Sequence, residues 1–361
     1  AAGRRGREQR EAWEKRLEAY DGDRAAWEAC IEGTGLPGWE EALPRWEPGE
    51  ALATRKASGA CVQALAEKVP GLIGGGGDLT GNTGTTIRGE GVQSPGDPGG
   101  RQIYFGIREH GMGSALNGMA LHGGVVPFGG TFFIFSDYMR PAVRLAAISE
   151  AKAVFVFTHD SVGLGEDGPT HQPIEHLAAM RAIPQLRLIR PADANETAAA
   201  WRIALGSNGA TALVLTRQDV PVLDGTAEAP VERGAYVLVD AGVPHVVLVG
   251  TGSEVSVCVE ASGLLAEQGV RARVVSMPSW DLFAAQPDDY QESVLPPPVP
   301  TLAVEAGSSF GWDRWADDSV SIDRFGASAP GKVALTNFGF TPANVAERAR
   351  QLIDDLQEGS P

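Results

Sequence analysis

"AKAVFVFTHDSVGLGEDGPTHQPIEHLAAMRAI", residues 151–183, is the stretch from which the fold is read. "AVFVF" is about one strand long and apolar throughout, the pattern of a strand buried on both faces. "HQPIEHLAAMRAI" (171–183) reads as a helix. Between them His159, Asp160, Glu166, Asp167 and His171 are crowded among Gly163, Gly165 and Gly168. Strand, loop and helix are the repeating unit of a parallel sheet covered by helices.

The same alternation extends outward. "ATRKASGACVQALAEKV" (53–69) is helical, and "GLIGGGGDL" (71–79) is a strand entering a glycine turn. "RQIYFGI" (101–107) is a strand, followed by helix-like "HGMGSALNGMALHG" (110–123). "LRLIRPAD" (186–193), "NETAAAWRIAL" (195–205) and "TALVLTRQ" (211–218) read as strand, helix and strand. A Pro- and acid-rich stretch, "RQDVPVLDGTAEAPVERG" (217–234), leads to a second unit. There "PHVVLVGTGSEVSVCVEASGLLAEQGV" (244–270) is strand, turn and helix, and "RARVVSM", "TLAVEAG" and "VALTNF" (333–338) read as strands. "TPANVAERARQLI" (341–353) reads as a closing helix with Thr341 as N-cap. The fold class is α/β, two three-layer domains with parallel or mixed sheets. The boundaries are an N-terminal helix and linker at 1–50, a first domain at 51–225 and a second at 232–361. Within 1–50, "REQREAWEKRLEAY" places Trp13, Leu17 and Tyr20 on one helical face.

In open parallel sheets, ligands bind at the carboxyl ends of the strands. Asp78, Arg108 with Glu109, His159 with Asp160, and Arg217 each follow a predicted strand of the first domain. Four strands therefore bring charge to one edge, as one side of a polar active site would.

The bulk numbers exclude some alternatives. With 361 residues and 43% hydrophobic content, the chain is large enough for two cores. A net charge of −16 argues against nucleic acid or an anionic membrane as partner. Cys30, Cys61 and Cys258 form no ligand or redox pattern and read as reduced cytoplasmic thiols; no metal site is expected on this chain. No apolar run is long enough to span a bilayer, and no signal peptide is evident.

The motifs "ATRKAS" (53–58), "GGGDLTGN" (75–82), "YFGIREHGMG" (104–113), "TFFIFSDYMRPAVRLAA" (131–147), "THDSVGLGEDGPTHQP" (158–173), "LTRQ" (215–218) and "DRFGASAPG" (323–331) resemble transketolase in order and spacing. The resemblance covers about residues 50–350 and the last two of that family's three domains, the pyrimidine-binding and C-terminal domains. No GDG triplet, which marks the family's diphosphate and Mg²⁺ site, occurs here. The resemblance implies the C-terminal subunit of a split transketolase, cut in the interdomain linker. A separate N-terminal-half subunit would supply the Mg²⁺ ligands, giving an α2β2 enzyme that moves a two-carbon ketol unit from a ketose to an aldose.

The resemblance also assigns residues. Glu109 matches the glutamate on the aminopyrimidine ring of thiamine diphosphate. A carboxyl sharing its proton there favours the imino tautomer, whose nitrogen deprotonates the thiazolium carbon. Burial against aromatic rings would raise the Glu109 pKa. Read without the family, an Arg108–Glu109 ion pair is the simpler account. Phe132, Phe135 and Tyr138 match the pyrimidine pocket, with Phe135 stacked on the ring; Phe133 and Ile134 are read as core. Asp78 lies near the cofactor and the partner domain. His159, Asp167 and His171 match sugar contacts, with His171 beside the reacting carbonyl and His159 and His171 counted with Glu109 as catalytic. Arg55 and Arg217 match the arginines on the terminal phosphate, where guanidinium binds bidentately. Asn82 stands where the family commonly has Ser, which sets the phosphate preference apart. His110, His122, His176 and His245 are read as structural. No catalytic residue is assigned to the second domain, whose role is read as dimer interface and packing. Two other functions are weighed: delivery of the two-carbon unit to a lipoyl or other carrier-bound acceptor, and a non-catalytic regulatory subunit.

Overall fold

A computed structural model describes residues 2–358. The first domain is built on six parallel strands. In spatial order they are Gln102–Tyr104, Leu72–Gly76, Val126–Phe132, Val154–Thr158, Thr211–Leu215 and Arg187–Ile189. The opening stretch supplies an inner strand, and its side chains alternate between two cores as a strand's must. Val154 and Val156 pack into one core with Val62, Leu65 and Trp201. Phe155 and Phe157 pack into the other with Met112, Leu116 and Val143. The helices Thr54–Lys68 and Ala194–Gly206 cover the first face, and Glu109–His122, Ser136–Ile148 and His176–Arg181 the second.

The strand Val126–Phe132 has no match among the predicted elements, although all seven residues are buried. Gly129 and Gly130 interrupt the apolar signal. They are there for close packing: a Cβ on Gly130 would sit 2.6 Å from Thr85 Cγ2, and one on Gly129 2.7 Å from Leu116 Cδ1. The helix expected over 171–183 is only His176–Arg181, because 171–175 is held as loop by contacts described below.

The second domain has five strands in the order Asp318–Val320, Thr301–Val304, Val246–Gly250, Ala272–Ser276 and Tyr236–Val239. Only the last is antiparallel, which makes the sheet mixed. "VALTNF" is not a strand: it lies in the helix Gly331–Asn337, entered from Pro330. A short apolar run is ambiguous by periodicity alone. Thr341 does cap the closing helix Pro342–Glu358. Its Oγ1 accepts from Asn344 N at 3.3 Å, with Pro342 at the first helical position.

The linker around 33–50 is not free. Trp39 is buried in the core of the first domain, and Asn195 exchanges hydrogen bonds with the Trp46 backbone (3.0 Å each). The helix Ala2–Glu18 contributes no buried residue; Trp13 meets Trp27 at 6.4 Å, and Tyr20 is exposed.

Buried polar networks join the domains. Arg190, fully buried after its strand, donates to Asp160 Oδ2 (2.7 and 3.0 Å), Glu254 Oε2 (2.6 Å) and the Thr251 carbonyl (2.8 Å). Burial works against the guanidinium charge, but Glu254 and Asp160 outweigh it and hold its pKa above the ordinary value. Arg181 forks onto Glu305 at 2.8 and 2.6 Å and lies over the Trp280 ring. Glu196 accepts from Tyr236 Oη and Ser276 Oγ across the same seam, both at 2.6 Å. Burial, then the charge of Asp193, pushes the Glu196 pKa up to about 7. Asp160 therefore departs from the expected polar edge: it turns into the seam, where a desolvated carboxylate needs its cation.

Candidate active site

The carboxyl edge of the first sheet gathers the candidate residues. Two of them sit at strand ends in the left-handed region: Asp78 (φ 66°) and His159 (φ 66°). Among the described residues only four non-glycines have positive φ. Such strain persists only where the surroundings enforce it. For His159 the cause is visible. Its ring is buried with its centroid 3.8 Å from that of Phe132, and its Nδ1 lies 2.9 Å from Thr158 Oγ1. Burial, then the charges of Arg55, Arg217 and His171, pushes its pKa down to about 3. His159 is therefore a neutral imidazole at physiological pH, able to exchange a hydrogen bond but not to carry charge.

The strand Val126–Phe132 delivers an aromatic ladder as it enters the helix Ser136–Ile148. Phe132 and Phe135 lie nearly parallel with centroids 6.1 Å apart, and Tyr138 follows at 6.1 Å from Phe135. Phe132 is nearly buried, Phe135 half-buried and Tyr138 67% exposed, so the ladder climbs from core to surface. His171 presents its edge to Phe132 (6.5 Å) and Phe135 (5.8 Å). Phe133 is core, packed on Phe157, whereas Ile134 is only half-buried and faces a surface cavity. Glu109 is the first residue of the helix Glu109–His122 and is half-buried. Arg108 does not pair with it; its guanidinium turns back to the Phe105 carbonyl at 3.0 Å.

The arginines share one corner. Arg55, in the first turn of Thr54–Lys68, donates to the Asn82 carbonyl at 2.7 Å, and its Nε is buried without a partner. Burial, then neighbouring Arg217, lowers the Arg55 pKa. Two cations held close favour an anion between them. Asn82 leaves its side chain exposed. The side chains of Glu109, Asp78, Asp167 and Arg217 have no hydrogen-bond or ion-pair partner among the described residues.

The loop that carries Asp167 and His171 is clamped by the second domain, and this was not foreseen. Gln172, nearly buried, donates from Nε2 to Gly165 O and Ala327 O, both at 3.0 Å. Ser328 Oγ donates to Glu166 O at 2.6 Å. A Cβ on Gly331 would lie 2.2 Å from Gly163 O, so the two backbones touch. The "FGASAPG" segment thus positions the site loop. The available signal was its two glycines and proline beside a motif-bearing segment. His176 is buried, while His110, His122 and His245 are exposed.

Comparison with known proteins places both domains in one family. Residues 50–222 match the family described as transketolase, pyrimidine binding domain, and 234–341 match the transketolase-like C-terminal domain. The transketolase of Geobacillus stearothermophilus is 52% identical over 355 residues, 94% of this chain and 53% of that protein. A Pichia stipitis transketolase, solved in complex with sedoheptulose 7-phosphate, superposes with a TM-score of 0.94 at 40% identity, covering 98% of this chain and 54% of that one. A chain described as a split gene transketolase, inactive beta4 tetramer, shares the fold at TM-score 0.71 and 23% identity, covering 84% of this chain and 99% of that one. The chain spans about half the length of the curated relatives it matches. It belongs to the transketolase family, of which it carries the pyrimidine-binding and C-terminal domains.

Proposed function

We propose that this chain supplies the pyrimidine side of a thiamine diphosphate-dependent transketolase site. It works in the cytoplasm with a separate subunit that holds the diphosphate and Mg²⁺, in an α2β2 assembly, and transfers a two-carbon ketol unit from a ketose phosphate to an aldose phosphate. One observation carries the reading: an aromatic ladder that reaches the solvent stands at the same sheet edge as a carboxyl that has no partner among the described residues.

The residues present fit the cofactor. Phe135 is half-buried and Tyr138 largely exposed, which leaves aromatic surface for a flat heterocycle, and Glu109 offers a carboxyl that no other described residue engages. Thiamine diphosphate, when bound, supplies the electron sink at its thiazolium carbon. Glu109 holds the proton at the ring nitrogen, and the aromatic ladder fixes the ring and excludes water. His171 and the neutral His159 orient the sugar hydroxyls and carbonyl, and Asp167 accepts from a sugar hydroxyl. Arg55 and Arg217 hold the terminal phosphate, where their mutual repulsion is relieved. Asn82, at the same corner, adjusts the preference for that phosphate.

A partner is supported by exposed apolar residues on the strand Gln102–Tyr104, the turn after it and the helices Glu109–His122 and Ser136–Ile148. Tyr104, Ile107, Leu121, Tyr138, Leu145 and Ile148 are all more than half exposed. An apolar surface of this kind marks a contact site. The test is co-expression with a chain bearing a GDG-containing diphosphate domain, then assay of ketol transfer from xylulose 5-phosphate to ribose 5-phosphate. Activity in the mixture alone, dependent on thiamine diphosphate and Mg²⁺, is the expected result. A well-formed but inert complex contradicts the sugar-phosphate reaction, and activity of this chain alone contradicts the need for a partner.

A further inference from the structure

We propose that Asp137, Glu175 and His176 bind a divalent transition-metal ion of the zinc type. None of the three has a part in the reaction described above, and the site is separate from the Mg²⁺ assigned to the partner. One oxygen from each carboxylate and one nitrogen of His176 lie within 4.8 Å of one another. The residues come from two elements. Asp137 is in the first turn of Ser136–Ile148, and Glu175 and His176 are at the start of the short helix His176–Arg181.

A second observation points to a ligand. His176 is 3% exposed, and among the described residues neither of its ring nitrogens has a hydrogen-bond partner. A buried polar atom left unpaired is costly, so such groups are normally satisfied. What lies near the ring is negative: Asp137 Oδ2 is 3.3 Å from Nε2, and Glu175 Oε2 is 3.8 Å from Nδ1. Neither carboxylate has a Lys or Arg partner among the described residues. Phe133 meets the imidazole edge-on at 5.8 Å and fixes its plane.

The chemistry selects the ion. Imidazole with carboxylates suits zinc-type ions, whereas Ca²⁺ and Mg²⁺ take oxygen ligands. Zinc bonds of about 2.0–2.2 Å place tetrahedral ligands about 3.4 Å apart. The Asp137–His176 separation already matches this. The Glu175 carboxylate is 62% exposed and free to swing in. The three residues open onto a cavity of about 580 Å³, which gives the ion a path and water a fourth position. Phe135 and Tyr138 line the same cavity, so the ion would brace the helix that bears Tyr138.

The test is calorimetric titration of the purified full chain with ZnCl₂, repeated on Asp137→Asn and Glu175→Gln. Both positions are exposed, so the variants keep the fold. One Zn²⁺ per chain is expected, with each variant weakened by about tenfold or more and Cys30→Ser unchanged. Co²⁺ should give the visible bands of a four-coordinate site, lost in Asp137→Asn. Absence of binding, or binding that neither carboxylate variant alters, overturns the proposal.

Discussion

His159 and Asp160 are adjacent in sequence, yet they belong to two different regions. His159 turns into an open edge where the side chains of Arg217, Asp167, Asp78 and Glu109 have no partner among the described residues. Asp160 turns into a closed seam where Arg190, Glu254, Arg181 and Glu305 are paired and buried. The two regions are equally rich in charge. What differs is completion: the seam satisfies its charges internally, and the edge leaves them for a ligand. Buried ion pairs add little net stability but are costly to break. Unpaired charges that are exposed, or half-exposed as Glu109 is, cost little to keep and are available for binding.

The comparison can be broken by substitution, and the largest effect falls on the edge. In the assembled enzyme, Glu109→Gln should lower kcat by about 10²–10⁴-fold, the range for a lost proton-transfer group. Its unfolding midpoint should be unchanged; a matching loss of stability would move Glu109 to the seam class. Arg190→Ala should do the reverse. It strands Asp160 and Glu254 and should cost about 3–5 kcal/mol in chemical denaturation. A loss under about 1 kcal/mol would show that the pairing is not structural. Gly331→Ala lies between the regions. The added Cβ must push Gly163 aside, and kcat/KM should fall about tenfold or more through the displaced loop. Arg217→Ala should raise KM for phosphorylated sugars about tenfold, as expected for a hydrogen-bonded charge, and leave unphosphorylated sugars unaffected. An equal change for both would remove Arg217 from the phosphate.

The smallest effect is a pH signature. With a folded pKa near 3 against about 6.5 unfolded, His159 should show no ring titration by NMR between pH 5 and 8. The unfolded state binds the extra proton below about pH 6.5, so this residue's contribution to stability is present above that pH. It is lost as pH falls toward 3. A ring that titrates near 6.5 would mean that the Phe132 contact and the arginine field do not hold.

Much of this was legible beforehand, for identifiable reasons. Strands such as "AVFVF" are apolar on every residue because helices cover both faces, and charge following four of them marked the edge. Thr341 was legible as a cap because its hydroxyl acts locally. Three features were not legible. Gly129 and Gly130 hid an inner strand, since their small size answers to Thr85 and Leu116, remote in sequence. "VALTNF" was too short to separate strand from helix. The fate of Asp160 depended on Arg190 and Glu254, respectively 30 and 94 residues away. Long-range pairing of charge leaves no local mark, so the seam and the Gln172 clamp emerged only from the fold.

The most direct test is a structure of the assembled complex with thiamine diphosphate bound. The account predicts an aminopyrimidine ring against Phe135, its ring nitrogen within about 2.6–3.2 Å of a Glu109 carboxyl oxygen, and the diphosphate held by the partner subunit. A cofactor held wholly by the partner, with Glu109 and the aromatic ladder facing solvent, would contradict it.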